Sequence, residues 1–218
     1  GAVVKDFHVD IPDERKRQAQ LAAQVLGDEV WRKFPFVPGM KAMGADNAER
    51  ILNRTWRPML AVTGADGLPT PANAGNVLRP RTQLVLSLRL PPTLDARAAA
   101  ERMKRLLEQD APYGARVSYE YGQAARGWNA PALAPWLERA LDDSSRRHYG
   151  QAAMWMGEGG TIPFMAMLGE KFPQAQFFIT GVLGPHSNAH GPNEFLHLDY
   201  AKRLTACVAD VLTAHAAS

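Results

Sequence analysis

The segment Asn188-Ala189-His190-Gly191-Pro192-Asn193-Glu194 places a histidine in a loop between a strand-like run and a closing amphipathic helix. Held by small residues, Gly and Pro, such a histidine can present a neutral imidazole nitrogen to a metal. One histidine does not hold a catalytic metal, because a hydrolytic zinc site uses at least three protein ligands and a two-metal site more. The chain therefore offers one wall of an active site. His186, His190 and His197 fall within 12 residues, and both His197-Leu198-Asp199 and His8-Val9-Asp10 have a His-x-Asp spacing found in metal sites. Each of those pairs has a structural reading beside the metal one. Asp199 is placed to cap the final helix, and His8 to Asp10 lies in a polar entry turn.

Two further features could bind an anion. Glu158-Gly159-Gly160-Thr161-Ile162-Pro163 follows a strand-like run and opens a helix. Its glycines let backbone approach a ligand closely, Pro163 suits a first helical turn, and the N–H groups there favour a carboxylate. The same residues would serve a plain strand-to-helix turn. Arg89 lies inside the best strand pattern of the chain, opposite the face carrying Leu84, Leu86, Leu88 and Leu90. A guanidinium on rigid strand backbone is a good carboxylate clamp, and it is equally an ordinary solvated charge on an open sheet face.

The elements that must position these residues read as follows. Val3 to Val9 is extended, Asp13 to Leu26 is a polar helix, and the Pro-, Gly- and aromatic-rich stretch from Trp31 to Met43 is loop. Met59 to Thr63 and Val77 to Leu90 alternate as strands, with an irregular connection at Leu68 to Gly75. Thr93 stands where an N-cap belongs, ahead of a helix with Leu94, Met103, Leu106 and Leu107 on one face, and Arg116 to Tyr121 is another strand. Strand, helix and strand in this order give an α+β layer, a helix on a mostly antiparallel sheet. Beyond Gly127 the pattern alternates: a helix from Leu133 to about Leu141, a strand at Ala152 to Met156, a helix opening at Ile162-Pro163, a strand at Gln176 to Thr180, and a helix from Asp199 to Thr213. That alternation reads as parallel α/β, with fewer strands than an ordinary doubly wound sheet needs.

Composition narrows the partners. With 218 residues, 46% apolar and 22% charged, the chain has enough sequence for one large or two small domains. Its net charge of +3 is dispersed among acids, without a basic stripe interleaved with aromatics, so nucleic acid is not an expected partner. No apolar run reaches transmembrane length and no signal-peptide pattern opens the chain, so a cytoplasmic location without membrane attachment is the expectation. The single cysteine, Cys207, falls on the apolar stripe of the last helix and reads as a buried structural thiol.

Three of these segments together resemble the dinuclear-zinc metallopeptidases, the family of carnosinase-type dipeptidases, aminoacylases, acetylornithine deacetylase and succinyl-diaminopimelate desuccinylase. Gly75-Asn76-Val77-Leu78 through Leu86-Ser87-Leu88-Arg89-Leu90-Pro91 looks like the family's lid-domain strand. Glu158 to Pro163 matches a second motif, and Ala189-His190-Gly191-Pro192-Asn193-Glu194 is similar to the closing Ala-His-(small)-(x)-Asn-Glu motif. Trp56-Arg57-Pro58, before a strand ending in Gly64, is closer to the dipeptidase branch.

The resemblance implies a fold and a set of roles. Residues 1–126 would form a lid or dimerisation domain, helices on an antiparallel sheet, and residues 127–218 the C-terminal part of a parallel α/β zinc-peptidase catalytic domain. His190 would bind one of two zinc ions, and Arg89 would grip the carboxylate of a peptide or N-acyl amino-acid substrate. Asn76, Gly160 and Thr161 would contact substrate, with relatives often carrying threonine at the position of Asn76. Glu158 and Glu194 would orient the wall. The family's N-terminal half, with its His-x-Asp, bridging Asp and Glu-Glu pair, has no match after His8-Val9-Asp10, and the chain contains no Glu-Glu pair. The expectation is thus the C-terminal half of a homodimeric, zinc-dependent dipeptidase, inactive alone, holding zinc weakly and lacking the general-base glutamate. The competing expectation is a non-enzymatic lid-type module used for self-association.

Overall fold

The computed structural model describes residues 4–159, 162–184 and 186–218. They divide into two compact units. The first comprises residues 4–10, 53–127 and 159, and the second comprises 11–52, 128–158, 162–184 and 186–218. The architecture is helix-rich α+β with one small antiparallel sheet.

In the first unit, β1 (Met59–Asp66) pairs antiparallel with β2 (Gln83–Arg89). The register runs Met59↔Arg89, Leu60↔Leu88, Ala61↔Ser87 and Val62↔Leu86, then slips at a bulge between Val62 and Gly64. Alternation in β2 turns Leu86 and Leu88, followed by Leu90, onto a cluster of Phe7, Ala99 and Met103. The last two belong to α4 (Ala96–Glu108), whose buried Ala96, Ala99 and Met103 recur at helical spacing. Ser87 and Arg89 are thereby left on the exposed face. The α4 cap is Asp95, whose side chain accepts the Ala98 N–H at 2.7 Å, and not Thr93 as the sequence predicts. Aspartate at this position also favours the helix dipole.

Several predicted strands take another form. Residues 5–7 make a short 3-10 turn, with Phe7 buried as the lid of the α4 cluster. Residues 77–82 carry no ladder; Leu78 is wholly exposed, and β2 begins only at Gln83. Within residues 116–121 the backbone groups of Tyr119 are taken by side chains instead. Glu108 accepts the Tyr119 N–H at 2.7 Å, and the Lys104 ammonium donates to the Tyr119 carbonyl at 2.9 Å. Periodicity reports which face is apolar, whereas a strand also needs a hydrogen-bonded neighbour, and here α4 supplies the partners.

The second unit is built around two helices, α5 (Pro135–Tyr149) and α7 (Leu198–Ala216), packed through Leu137, Leu141 and Val211. Leu133, Trp136, Ala153, Trp155 and Phe178 close over that cluster. The predicted strands at 152–156 and 176–180 therefore do present an apolar side to the helices, but no ladder joins them among the described residues. The Ala153 N–H goes to the Asp142 carboxylate of α5 at 3.0 Å. A polar clasp fastens the same helices: Asp210 accepts from Ser144 Oγ at 2.8 Å and from Arg147 at 2.9 Å, and meets His148 Nε2 at 3.0 Å. Cys207 is buried and free, as its place on the apolar stripe predicts.

α1 (Asp13–Leu26) has the bounds the sequence predicts. α2 (Glu29–Arg32) runs into the first two residues of the stretch read as loop, which is followed by α3 (Asn47–Thr55); sequence periodicity disclosed neither helix. α6 (Pro163–Lys171) opens on Pro163, whose missing N–H costs nothing in a first turn. It packs closely on Trp128, since a Cβ on Gly169 would lie 2.5 Å from the indole Nε1. No helix among the described residues is long and apolar enough to cross a membrane.

Candidate functional site

The loop that carries His190 is folded on itself. At its base Ser187, 3% exposed, donates from Oγ to the Gly184 carbonyl at 2.7 Å, and its own carbonyl accepts the Phe195 N–H at 3.1 Å. At its tip Gly191 N–H donates to the Asn188 carbonyl at 2.9 Å, and the Glu194 carboxylate accepts the His190 N–H at 3.2 Å. His186, Asn188, His190 and Asn193 all adopt positive φ, between 54° and 65°. Left-handed backbone is uncommon for residues with a Cβ, and asparagine tolerates it best. Four such residues in eight positions mark a loop whose shape is over-determined by its contacts, and such strain concentrates at functional sites. The His190 side chain stands exposed on it.

The other histidine candidates have structural employment. His197 is the N-cap of α7: its Nδ1 accepts the Tyr200 N–H at 3.2 Å, which assigns the capping role to His197 and not to Asp199. His8 is the residue that closes the 3-10 turn of Lys5–Phe7. Among the described residues, no group of three or more His, Cys, Asp or Glu side chains converges as a metal site. The Glu194 carboxylate beside His190 accepts that residue's backbone N–H. The described residues therefore do not enclose a metal by themselves.

In the first unit, Arg89 projects from the end of β2, and its guanidinium donates to the Gly159 carbonyl. Gly159 itself lies close against Arg54, because a Cβ there would lie 2.6 Å from the Arg54 carbonyl oxygen. Arg89 thus meets the segment that the sequence singles out as anion-binding. Gly160 and Thr161, the next two residues of that segment, lie outside the described residues. Glu158 is exposed. Asn76 is exposed at the centre of a tight turn in which Val77 N–H donates to the Gly75 carbonyl at 3.0 Å. The structure therefore brings Arg89 together with Gly159 in one unit, and His190 with Glu194 in the other.

Sequence reading gave no role to Asn188, whose amide Nδ2 donates to the Pro192 carbonyl at 2.5 Å. The available signal was the pairing of Asn188 with Gly191 inside a short loop, since Asn and Gly are the residues that favour left-handed turns. It also passed over the Ser144–Asp210 clasp, whose partners are 66 positions apart and carry no local pattern.

No protein-family profile matches the chain. Over 172 residues, 76% of the chain, it is 28% identical to the cysteinylglycine-S-conjugate dipeptidase of Corynebacterium striatum. The likeness is to dipeptidases. In fold the chain superposes on the M20 family metallo-carboxypeptidase Sso-CP2 of Sulfolobus solfataricus, with a TM-score of 0.67, 20% identity and 95% of the chain covered. It also superposes on human carnosine dipeptidase 1 (TM-score 0.64, 18% identity, 97% covered) and the dipeptidase Dug1p of Saccharomyces cerevisiae (TM-score 0.67, 16% identity, 99% covered). The chain spans 36% of the Corynebacterium enzyme and 44–46% of the three solved chains. An M20-type peptidase fold thus extends over nearly all of this chain while accounting for under half of each solved relative.

Proposed function

We propose that this chain is the C-terminal portion of a metal-dependent dipeptidase that cleaves the amide bond of dipeptides or N-acyl amino acids. The observation that carries the reading is the sequence likeness to a dipeptidase over 76% of the chain. Residues 1–126 correspond in this reading to the lid, which also mediates homodimerisation, and residues 127–218 to the end of the catalytic domain. In this reading the enzyme works in the cytoplasm, where Cys207 of this chain stays reduced.

His190 supplies one ligand toward zinc, of which two ions are expected in the longer protein, and Glu194 fixes the backbone from which the imidazole projects. Support comes from the left-handed, exposed backbone of the loop and from the N–H contact between the two residues. Bound zinc would polarise the scissile carbonyl and lower the pKa of water. The remaining ligands and the proton-shuttling glutamate belong to segments outside this chain, so the 218-residue chain alone is catalytically silent. Arg89 clamps the free carboxylate of the substrate, displacing its ligand-free contact with the Gly159 carbonyl. Asn76, Gly160 and Thr161 contribute further substrate contacts, and Glu158 supports the turn that carries the last two.

The test is a pair of substrates in the longer protein, a dipeptide and the same dipeptide as its C-terminal carboxamide. Arg89→Ala removes about 2–4 kcal/mol of transition-state binding, a fall in kcat/KM of roughly 30- to 800-fold, for the carboxylate only. Equal rates of the variant and wild type on the free dipeptide contradict the role. A second reading, a self-association module without activity, draws on the two-stranded sheet, whose outer edges carry no further strand among the described residues. It requires the longer protein to lack peptidase activity altogether.

A further inference from the structure

We infer that Asn188 is the positioning residue that sets the direction of the His190 side chain. It acts as a clasp across the loop, and the inference rests on the reading of His190 as the group the loop presents. Two hydrogen bonds and one close approach converge on Asn188. Its carbonyl accepts the Gly191 N–H at 2.9 Å, and its side-chain amide donates to the Pro192 carbonyl at 2.5 Å. Its amide atoms also occupy the space beside Gly191, where a Cβ would lie 2.7 Å from both Oδ1 and Nδ2. Main chain and side chain of Asn188 therefore close a ring from 188 to 192 with His190 inside it.

The chemistry requires asparagine at this place. A carbonyl only accepts, so the group that faces Pro192 is the N–H₂ end of the amide, and an ionised aspartate has no such donor. Glycine would accept the φ of 54° at this position but has no side chain to cross the loop. Serine and threonine are less at home in left-handed backbone. On the far side, the Glu194 carboxylate holds the His190 N–H. With its neighbours pinned at 188 and 192 and its own N–H engaged, His190 keeps its φ of 61°. That dihedral fixes where the Cα–Cβ bond points, and with it the cone the imidazole sweeps. A ligand held by one imidazole is sensitive to that direction, because misplacing a coordinating or reacting atom by an ångström is expensive.

Nuclear magnetic resonance of the full chain and two variants tests this. Asn188→Asp keeps the left-handed tolerance and the shape but loses the donor. Asn188→Gly keeps the backbone freedom and loses the whole clasp. Both are expected to speed solvent exchange of the His190 and Gly191 amides about fivefold or more, as loss of a hydrogen bond does, and to shift the His190 ring proton resonances. Amides in the middle of α5 and α7 keep their wild-type rates. Wild-type exchange in Asn188→Gly would show that only the backbone conformation matters and overturns the clasp. Wild-type exchange in Asn188→Asp overturns the donor role. A rise shared equally by the α7 amides means general loosening and also overturns the inference. Independently, His190→Gln in the longer protein, assayed on a dipeptide, reports whether His190 works on substrate, so a failure of that reading is distinguishable from a failure of the clasp.

Discussion

Leu137→Ala is expected to loosen the α5/α7 pair that anchors the His190 loop, and its cost follows from the packing. Leu137 is 2% exposed and lies at the centre of the cluster with Leu141 and Val211, under Trp136, Trp155 and Phe178. Truncation removes three carbons from a site already closed to water. At ~0.8 kcal/mol per buried carbon the transfer loss is about 2.4 kcal/mol, and the cavity left among rigid aromatic neighbours raises it to about 3 kcal/mol. With an m-value near ~2 kcal/mol/M, the urea midpoint falls by about 1.5 M. The control is Leu212→Ala on α7, where the side chain is 63% exposed and the cost is expected below ~0.5 kcal/mol. Tryptophan fluorescence reads the transition, since Trp136 and Trp155 both line the cluster. A Leu137→Ala midpoint no lower than that of Leu212→Ala would refute the assignment of this cluster as the core of the second unit.

The Asp210 clasp gives a pH signature. Hydrogen bonds from Ser144 and then His148, with the Arg147 charge, hold the Asp210 carboxyl below its usual range. A depressed carboxylate contributes stability above the unfolded pKa of about 3.9, and that contribution is lost as pH falls through the folded value. Wild type should therefore lose its advantage over Asp210→Asn on acidification below about pH 4, and parallel urea-midpoint curves for the two proteins would contradict this. Gly67→Ala is expected to destabilise the first unit by about 1–3 kcal/mol, because Gly67 has a φ of 80° and its added Cβ would lie 2.4 Å from the Arg81 carbonyl. A denaturation midpoint within error of wild type would remove that steric argument.

How far the sequence was legible depended on where the information lay. Helices with local signals were readable: α1 and α7 were framed by their periodic residues, and α6 by Pro163. β1 and β2 were recognisable as strands, although Val77 and Leu78 extended the alternating pattern past the point where a partner exists. The residues at 116–121 and 152–156 show the same gap, with the backbone of Tyr119 taken by Glu108 and Lys104 and the Ala153 N–H by Asp142. Caps went astray by two residues, since Thr93 and Asp199 were as suitable by type as Asp95 and His197. In the candidate site, the motif around His190 was visible as a motif. The contact of Arg89 with Gly159, 70 positions away, and the amide bridge from Asn188 needed the folded chain.

His190 is proposed to serve a metal-dependent dipeptidase. The most direct test of this role is the zinc content of the longer protein, purified with and without His190→Ala and measured beside dipeptide hydrolysis. The wild type is expected to hold about two zinc ions per chain, and the variant to lose roughly one of them together with at least ~100-fold in kcat/KM. Full zinc occupancy and an undiminished rate in His190→Ala would contradict it.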